Sequence, residues 1–240
     1  VLAGADLDID ALTVTGTLAA GNGGPNAAAT VTIAGAGAGS RNTIDADTRA
    51  AVTDSTVRTA GAVTIRASTA GRVTADAGGF AVALALSTAG KPPVSVAAGL
   101  SAAVNQITGD TTAEFTGSTV TASGVTVQAV ATTTIAALTI GGAAGSAAGS
   151  GAGSGNTIGT VLTATIDEST VSAGSGAVRV VATDASTVTA DAGGLAVAVQ
   201  ITGNAPGTVT LAAAIGASAA VNAIGNDVTA QIVDSTVTAG

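Results

Sequence analysis

Asp6, Asp8 and Asp10 stand at alternate positions near the start of the chain. On an extended strand such residues share one face, which sets neighbouring carboxylates about 7 Å apart. Oxygen ligands at that spacing could hold a Ca²⁺ between them. The segment is not an EF-hand loop, because Ala11 and Thr17 occupy the places where that loop needs Gly and Glu. A solvated strand face is the simpler reading, and Asp45 and Asp47 repeat the spacing in shorter form. Asp76 and Asp191 each precede Ala-Gly-Gly. Asp bonds its own backbone in turns, so both read as corner devices rather than catalytic acids.

Other chemistry is excluded by what the chain lacks. It has no His and no Cys, which removes the usual general base, thiol chemistry, disulfides and the common soft metal ligands. Polysaccharide lyases and hydrolases on β-helices use clustered acids beside a basic residue. Here the 7 basic residues are scattered, so the chain reads as a non-enzyme with no cofactor, and a carbohydrate-active β-helix is the weaker alternative. Thr-x-Thr pairs recur at Thr13/Thr15, Thr30/Thr32, Thr163/Thr165 and Thr187/Thr189. Flat Thr arrays can bind ice or another ordered surface. No regular Thr-x-Thr at every coil is evident, so these read as ordinary outward strand residues. The net charge of -8 disfavours nucleic acid and anionic membranes as partners.

Any such residues must be positioned by a repeated unit. Asn42, Asn105, Asn156 and Asn222 each lie 13 positions before the Ser of a Ser-Thr-Val triplet, at Ser55, Ser118, Ser169 and Ser235. The units are 63, 51 and 66 residues apart, so one core length is rigid while the remainder varies. Self-similarity of this kind signals an array. We divide the chain into a partial repeat over 1–41, repeats over 42–104, 105–155 (short, with a Gly/Ser-rich end) and 156–221, and the start of a fourth over 222–240. The chain begins at Val1 without a leader and stops inside a repeat, as a segment of something longer would.

Period-2 alternation, as in Leu7–Thr15, marks half-buried strands. The interior must be thin, because the apolar residues are mostly Ala and Val, with only 2 Phe and no Trp, Tyr or Met. Gly35–Ser40 reads Gly-Ala-Gly-Ala-Gly-Ser, a silk hexapeptide suited to close sheet stacking. After Gly79 and Gly194 alternation is lost and the runs become apolar on both sides, as in strands covered on both faces. Each leads to a Pro-bearing turn, Gly90–Pro93 or Gly203–Gly207, and a returning strand. That makes either a long hairpin or one wide solenoid coil. The Gly/Ser tract 141–155 reads equally as a flexible linker or a silk-like edge. Uncharged stretches between Glu114 and Asp167, and between Asp191 and Asp227, are broken by Gly, Ser, Thr, Asn and Pro, which argues against membrane-spanning helices. The absence of Trp and Tyr argues against the aromatic girdles of a membrane barrel. Leu211–Val221 is the stretch where propensity alone could favour helix.

These features predict an all-β parallel β-solenoid rod, with long Ala/Gly-rich strand pairs able to pack sheet on sheet. A unit of 63 residues divides into about three coils of roughly 20, giving about twelve coils and a rod of about 55–60 Å. Ala164, Ile166, Val171, Val178 and Val180 are expected inside, with Thr163, Thr165, Thr170 and Arg179 facing water. With three coils per unit the anchor Asn residues would lie about 14 Å apart, too far for a stacked amide ladder. Each is therefore expected to close a corner in the left-handed conformation.

Units of the form Asn-x-Ile, then Asp/Gly-Ser-Thr-Val-x-Ala-Gly, then Val-Thr-Val-x-Ala resemble the repeat regions of giant bacterial filamentous surface adhesins. The likeness is to the leukotoxin and filamentous-haemagglutinin type, exported by type V secretion. It covers nearly the whole chain, through short motifs of low complexity. It implies a secreted, cell-surface fibre or adhesin stalk giving reach, self-assembly and attachment, and it carries no catalytic residues. Its partners would be neighbouring repeats or identical chains, with cell-surface or matrix ligands beyond them.

Overall fold

The computed structural model describes residues 1–24, 30–87, 93–199 and 212–240, which form strands and turns and no helix. The strands stack in three sheets, parallel throughout. The first sheet holds β1 (Leu2–Gly23), β5 (Ala62–Ser87), β8 (Gly124–Gly145) and β11 (Val178–Ala198). The second holds β2 (Val31–Asp45), β3 (Thr48–Thr53), β6 (Val94–Thr116), β9 (Ala147–Asp167), β12 (Ala213–Ile224) and β13 (Asp227–Val233). The third is narrow, with β4 (Thr56–Arg58), β7 (Thr119–Thr121), β10 (Thr170–Ser172) and β14 (Thr236–Thr238). The chain visits first, second and third sheet in constant order, which is a parallel β-solenoid.

The register fixes the size of a coil, and it corrects the sequence expectation. Val31 pairs with Val94, Val96 with Ala147, and Ala147 with Ala213. One sequence unit is therefore one coil, not three. Four coils at about 4.8 Å stand about 19 Å tall, against the 55–60 Å rod anticipated. The width is the larger dimension: β5 runs for 26 residues, which at about 3.3 Å each spans at most about 86 Å. The single wide coil, not the hairpin, is what the long strands build. Of the Pro-bearing turns, only Pro93 lies within the described residues.

The inward side chains taper along that width. Beside the third sheet the core is bulky, with Phe115, Ile65, Ile166, Val127 and Val171 fully or almost fully buried. Further out come Ile44, Ile107, Ile158, Val73 and Ile135. Beyond them the two long sheets meet backbone to backbone. A Cβ on Gly79 would stand 2.1 Å from the Leu100 carbonyl oxygen, and one on Gly99 would stand 1.9 Å from that of Gly142. A last cluster of Ala81, Ala83, Ala97 and Ala143 fills the thin outer part. Sheets normally pack about 10 Å apart; the Gly and Ala content was expected to allow closer approach, and it does. The molecule is thus a blade, wedge-shaped at the third sheet and thin at the far edge.

The four anchor Asn residues overturn a second expectation. They sit in strands of the second sheet, in direct register. Asn42 Nδ2 donates to Asn105 Oδ1 at 2.8 Å, Asn105 Nδ2 to Asn156 Oδ1 at 2.7 Å, and Asn156 Nδ2 to Asn222 Oδ1 at 2.8 Å. One unit per coil brings them within reach, so the amide ladder exists. The left-handed corner lies instead just before each Ser-Thr-Val: Asp54, Glu168 and Asp234 have φ of 47°, 46° and 43°, and Gly117 has 60°. A Ser ladder follows the corner. Ser55 N–H donates to Ser118 Oγ, Ser118 N–H to Ser169 Oγ and Ser169 N–H to Ser235 Oγ, at 3.0–3.1 Å.

Other placements depart from expectation in detail. Asp76 and Asp191 are mid-strand, not at corners. The Gly/Ser tract is strand, divided by Ser146 between β8 and β9. Within Leu211–Val221 the described residues from Ala213 are strand β12. Ala164, Ile166 and Val171 are buried as expected, Val178 and Val180 pack against them, and Thr163 is half-buried, with Thr170 and Arg179 exposed. Thr165 is buried, with 8% of its surface exposed, although its position points outward. The longer Glu114 and Gln231 flank it in register, and its hydroxyl has no partner.

Candidate functional site

The acidic residues singled out by spacing lie on the outside of the blade. Asp6, Asp8 and Asp10 are exposed on β1 and stack beside Ala70, Arg72 and Thr74 of the next coil. Among the described residues no three acidic side chains converge to hold a metal ion. A row of carboxylates with Arg72 beside its centre makes a mixed-charge strip on a solvated face. Asp45 and Asp47 have local structural partners. Asp45 Oδ1 accepts from Thr108 Oγ1 at 3.1 Å, and Asp47 Oδ1 accepts from the Asp110 N–H at 2.9 Å. Both contacts join the first coil to the second. Arg49, exposed, and Glu114, half-buried, form an ion pair across the same step; surface pairs of this kind contribute about 1 kcal/mol at most.

Hydroxyls cross the interior where the core is neither Ile nor Gly. Thr69 Oγ1 meets Thr48 Oγ1 at 2.9 Å and Thr111 Oγ1 at 2.7 Å, linking first sheet to second. In the last coil Asn226 Nδ2 donates to Asp184 Oδ2 at 2.9 Å and to Ser186 Oγ at 2.8 Å. These groups satisfy one another across the interior.

The outer surface divides along the blade. Near the third sheet it carries the acids, the arginines and the threonines. Thr56, Thr119, Thr170 and Thr236 stack there in one outward column. The Ser-Thr-Val anchor held that signal, which the search for paired Thr-x-Thr passed over. The neighbouring column reads Arg58, Thr121, Ser172 and Thr238, so a uniform Thr-x-Thr array is absent from this sheet.

Towards the thin edge both outer faces turn apolar. The strands expected to be covered on both sides are covered on the inner side by the opposing sheet, while Phe80, Leu100, Leu195 and Ile215 are exposed. On the first sheet the Phe80 ring lies over glycines: a Cβ on Gly142 would be 2.5 Å from Phe80 Cδ1, and one on Gly78 would be 3.1 Å from Phe80 Cε2. Beside it, Leu12, Val14, Asp76, Leu138 and Ile140 border an open groove of about 190 Å³. The groove is shallow and apolar, with Asp76 as its only charged lining residue.

The fold and surface together define a parallel β-solenoid with a very wide coil and amphipathic outer walls. Comparison with family models, with characterised proteins and with solved structures returns no match.

Proposed function

We propose that this chain is a structural repeat segment of an extracellular bacterial surface fibre or adhesin. The observation that carries the reading is the ladder. Asn, Ser and Val stack at identical places in all four coils, so each coil is a template for the next and the array can lengthen without new design. The walls support the same role, since the apolar groove beside Phe80 is open and has Asp76 as its one charged lining residue. The wide coil shifts the emphasis of the role. A coil of about 63 residues adds only about 4.8 Å of length, so the segment contributes stiffness and broad lateral surface more than reach.

Labelling of producing cells tests the reading. Antibody raised against the segment should decorate fibrous material on intact cells in electron micrographs. Label that appears only after permeabilisation overturns it.

A further inference from the structure

The first and last coils of the stack end in different ways. Across the interior, β2 lies against β1 and β5, β6 against β5 and β8, and β9 against β8 and β11. Each of these strands of the second sheet sits in the step between two strands of the first. β12 breaks the rule: β11 lies on one side, and among the described residues no strand of the first sheet lies on the other. The core is bare at that step. Ile224, Val228 and Ile232 are 51%, 47% and 48% exposed, although Ile158, Leu162 and Ile166, which share their columns, are fully buried. The ladders also have a direction. Each coil donates to the next, Asn Nδ2 to Asn Oδ1 and Ser N–H to Ser Oγ. Among the described residues, that leaves the last coil with two donors, Asn222 Nδ2 and the Ser235 N–H, and the first coil with two acceptors, Asn42 Oδ1 and Ser55 Oγ.

We propose that the last coil receives the first coil of a second copy, head to tail, so that all three sheets run on across the seam. β1 of the second copy fills the empty step, with its Ile9 in the column of Val188 and its Ala3 in that of Ala182. Following the columns, Val181–Val197 pair with Leu2–Leu18 and Ala213–Ile224 with Ile33–Ile44. Val228–Val233 pair with Thr48–Thr53, and Thr236–Thr238 with Thr56–Arg58. Asn222 Nδ2 then meets Asn42 Oδ1, and the Ser235 N–H meets Ser55 Oγ. The Thr56 N–H meets the Ser235 carbonyl in return, as those of Thr119, Thr170 and Thr236 meet Ser55, Ser118 and Ser169 at 2.8–2.9 Å.

Polarity and area favour this occupant. Two last coils facing one another would set donor against donor, so the seam joins unlike ends. Such a contact is heterologous, and coil stacking does not close on itself, so it extends into a filament. Unpaired strand edges are templates for just this pairing. The first-sheet part of the seam is about 55 Å long and at most about 10 Å wide. A contact then buries about 1,000 Å² over both copies, the lower end of specific association. Like charges oppose it, because Asp227 and Asp234 come beside Asp47 and Asp54. Salt at about 0.15 M screens such pairs beyond about 8 Å. The stacking rests on the ladders and the bare core, not on the extracellular assignment, and either can fail without the other.

Sedimentation velocity over a concentration series at about 0.15 M salt tests the proposal, with far-UV spectra confirming that each variant keeps its strands. The parent should form an open series of species that lengthens with concentration, and electron micrographs should show rods growing in steps of about 19 Å. Asn222→Asp turns the last donor into a carboxylate facing Asn42 Oδ1. It should weaken association at least tenfold while the denaturation midpoint of dilute protein stays near the parent's. Ile224→Lys should weaken association as much. Added to the parent at one part in ten, it should also shorten the rods, because its first coil still joins a parent end and its last coil then admits no further copy. Leu100→Lys, on the outer wall, should behave as the parent does. A parent that stays monomeric or stops at a dimer overturns the stacking. So does association that survives Asn222→Asp, or that is lost in Leu100→Lys, which assigns it to the outer wall.

Discussion

Replacing Asn105 by Asp changes one atom in the middle of the amide ladder, and its cost follows from the geometry. Asn105 is 1% exposed, accepts from Asn42 and donates to Asn156. Aspartate keeps the acceptor that Asn42 needs. It loses the donor, so a carboxylate oxygen faces Asn156 Oδ1 where a 2.7 Å hydrogen bond stood. Turning the Asn156 amide over would relieve that clash but break its bond to Asn222. An uncompensated buried charge of this kind costs about 3–5 kcal/mol. Divided by 1.36 kcal/mol per unit, that places the folded-state pKa of the introduced carboxyl about 2–4 units above the unfolded value of about 3.9. A raised folded pKa means that the folded state holds the proton more tightly. Stability of the variant is therefore nearest the parent below about pH 4 and is lost as pH rises towards about pH 6–8. Denaturant midpoints of parent and Asn105→Asp, taken at steps from about pH 3.5 to 8, provide the assay. Asn222→Asp is the control: Asn222 Oδ1 accepts from Asn156 and the side chain sits in the exposed last coil, so the change should be near neutral. Equal midpoints for Asn105→Asp and the parent at about pH 7 would refute the buried ladder.

Four further substitutions probe the core, the sheet contact and the corner. Gly99→Ala places a Cβ 1.9 Å from the Gly142 oxygen and should cost about 3 kcal/mol or more in chemical denaturation; an unchanged midpoint would show that the sheets are further apart. Ile166→Asp buries a charge at a fully buried core site and should lose the cooperative transition. Thr165→Val removes an unpartnered buried hydroxyl and should be neutral or stabilising by about 1 kcal/mol, so similar losses for the two changes would refute the register. Glu168→Gly relieves a φ of 46° and should raise stability by about 1 kcal/mol; a lowered midpoint would mean that the Glu side chain holds the corner.

The class of fold was legible because alternation and anchors are local signals. The fixed spacing from Asn to Ser-Thr-Val follows the second sheet from the amide ladder to the left-handed corner, a path that every coil must match. The variable length falls elsewhere: the 51-residue coil turns at Ser146, directly between β8 and β9. The coil size was missed because the 63-residue unit was divided by a perimeter of roughly 20, and the loss of alternation after Gly79 hid the length of the strand. In the structure the inward column continues through Gly79 to Ala81, Ala83 and Ala85, with side chains too small to mark a core by hydropathy. The ladder was lost with it, since its rejection rested on a spacing of three coils. Thr165 misled for another reason: an outward position predicts exposure only if its column neighbours are short.

The wide coil also governs how the chain can acquire its structure. The ladder bonds join residues 63, 51 and 66 apart. Closing a loop of about 63 residues costs about 1 kcal/mol more than closing one of about 20, by the logarithmic dependence of closure entropy on length. Contacts this distant in sequence make the initial event slow. Once two coils have met, each following stretch finds a preformed edge with its Asn, Ser and Val already in place, and only that stretch need be ordered. The chain should therefore show a lag followed by directional growth, and a preformed stack should abolish the lag.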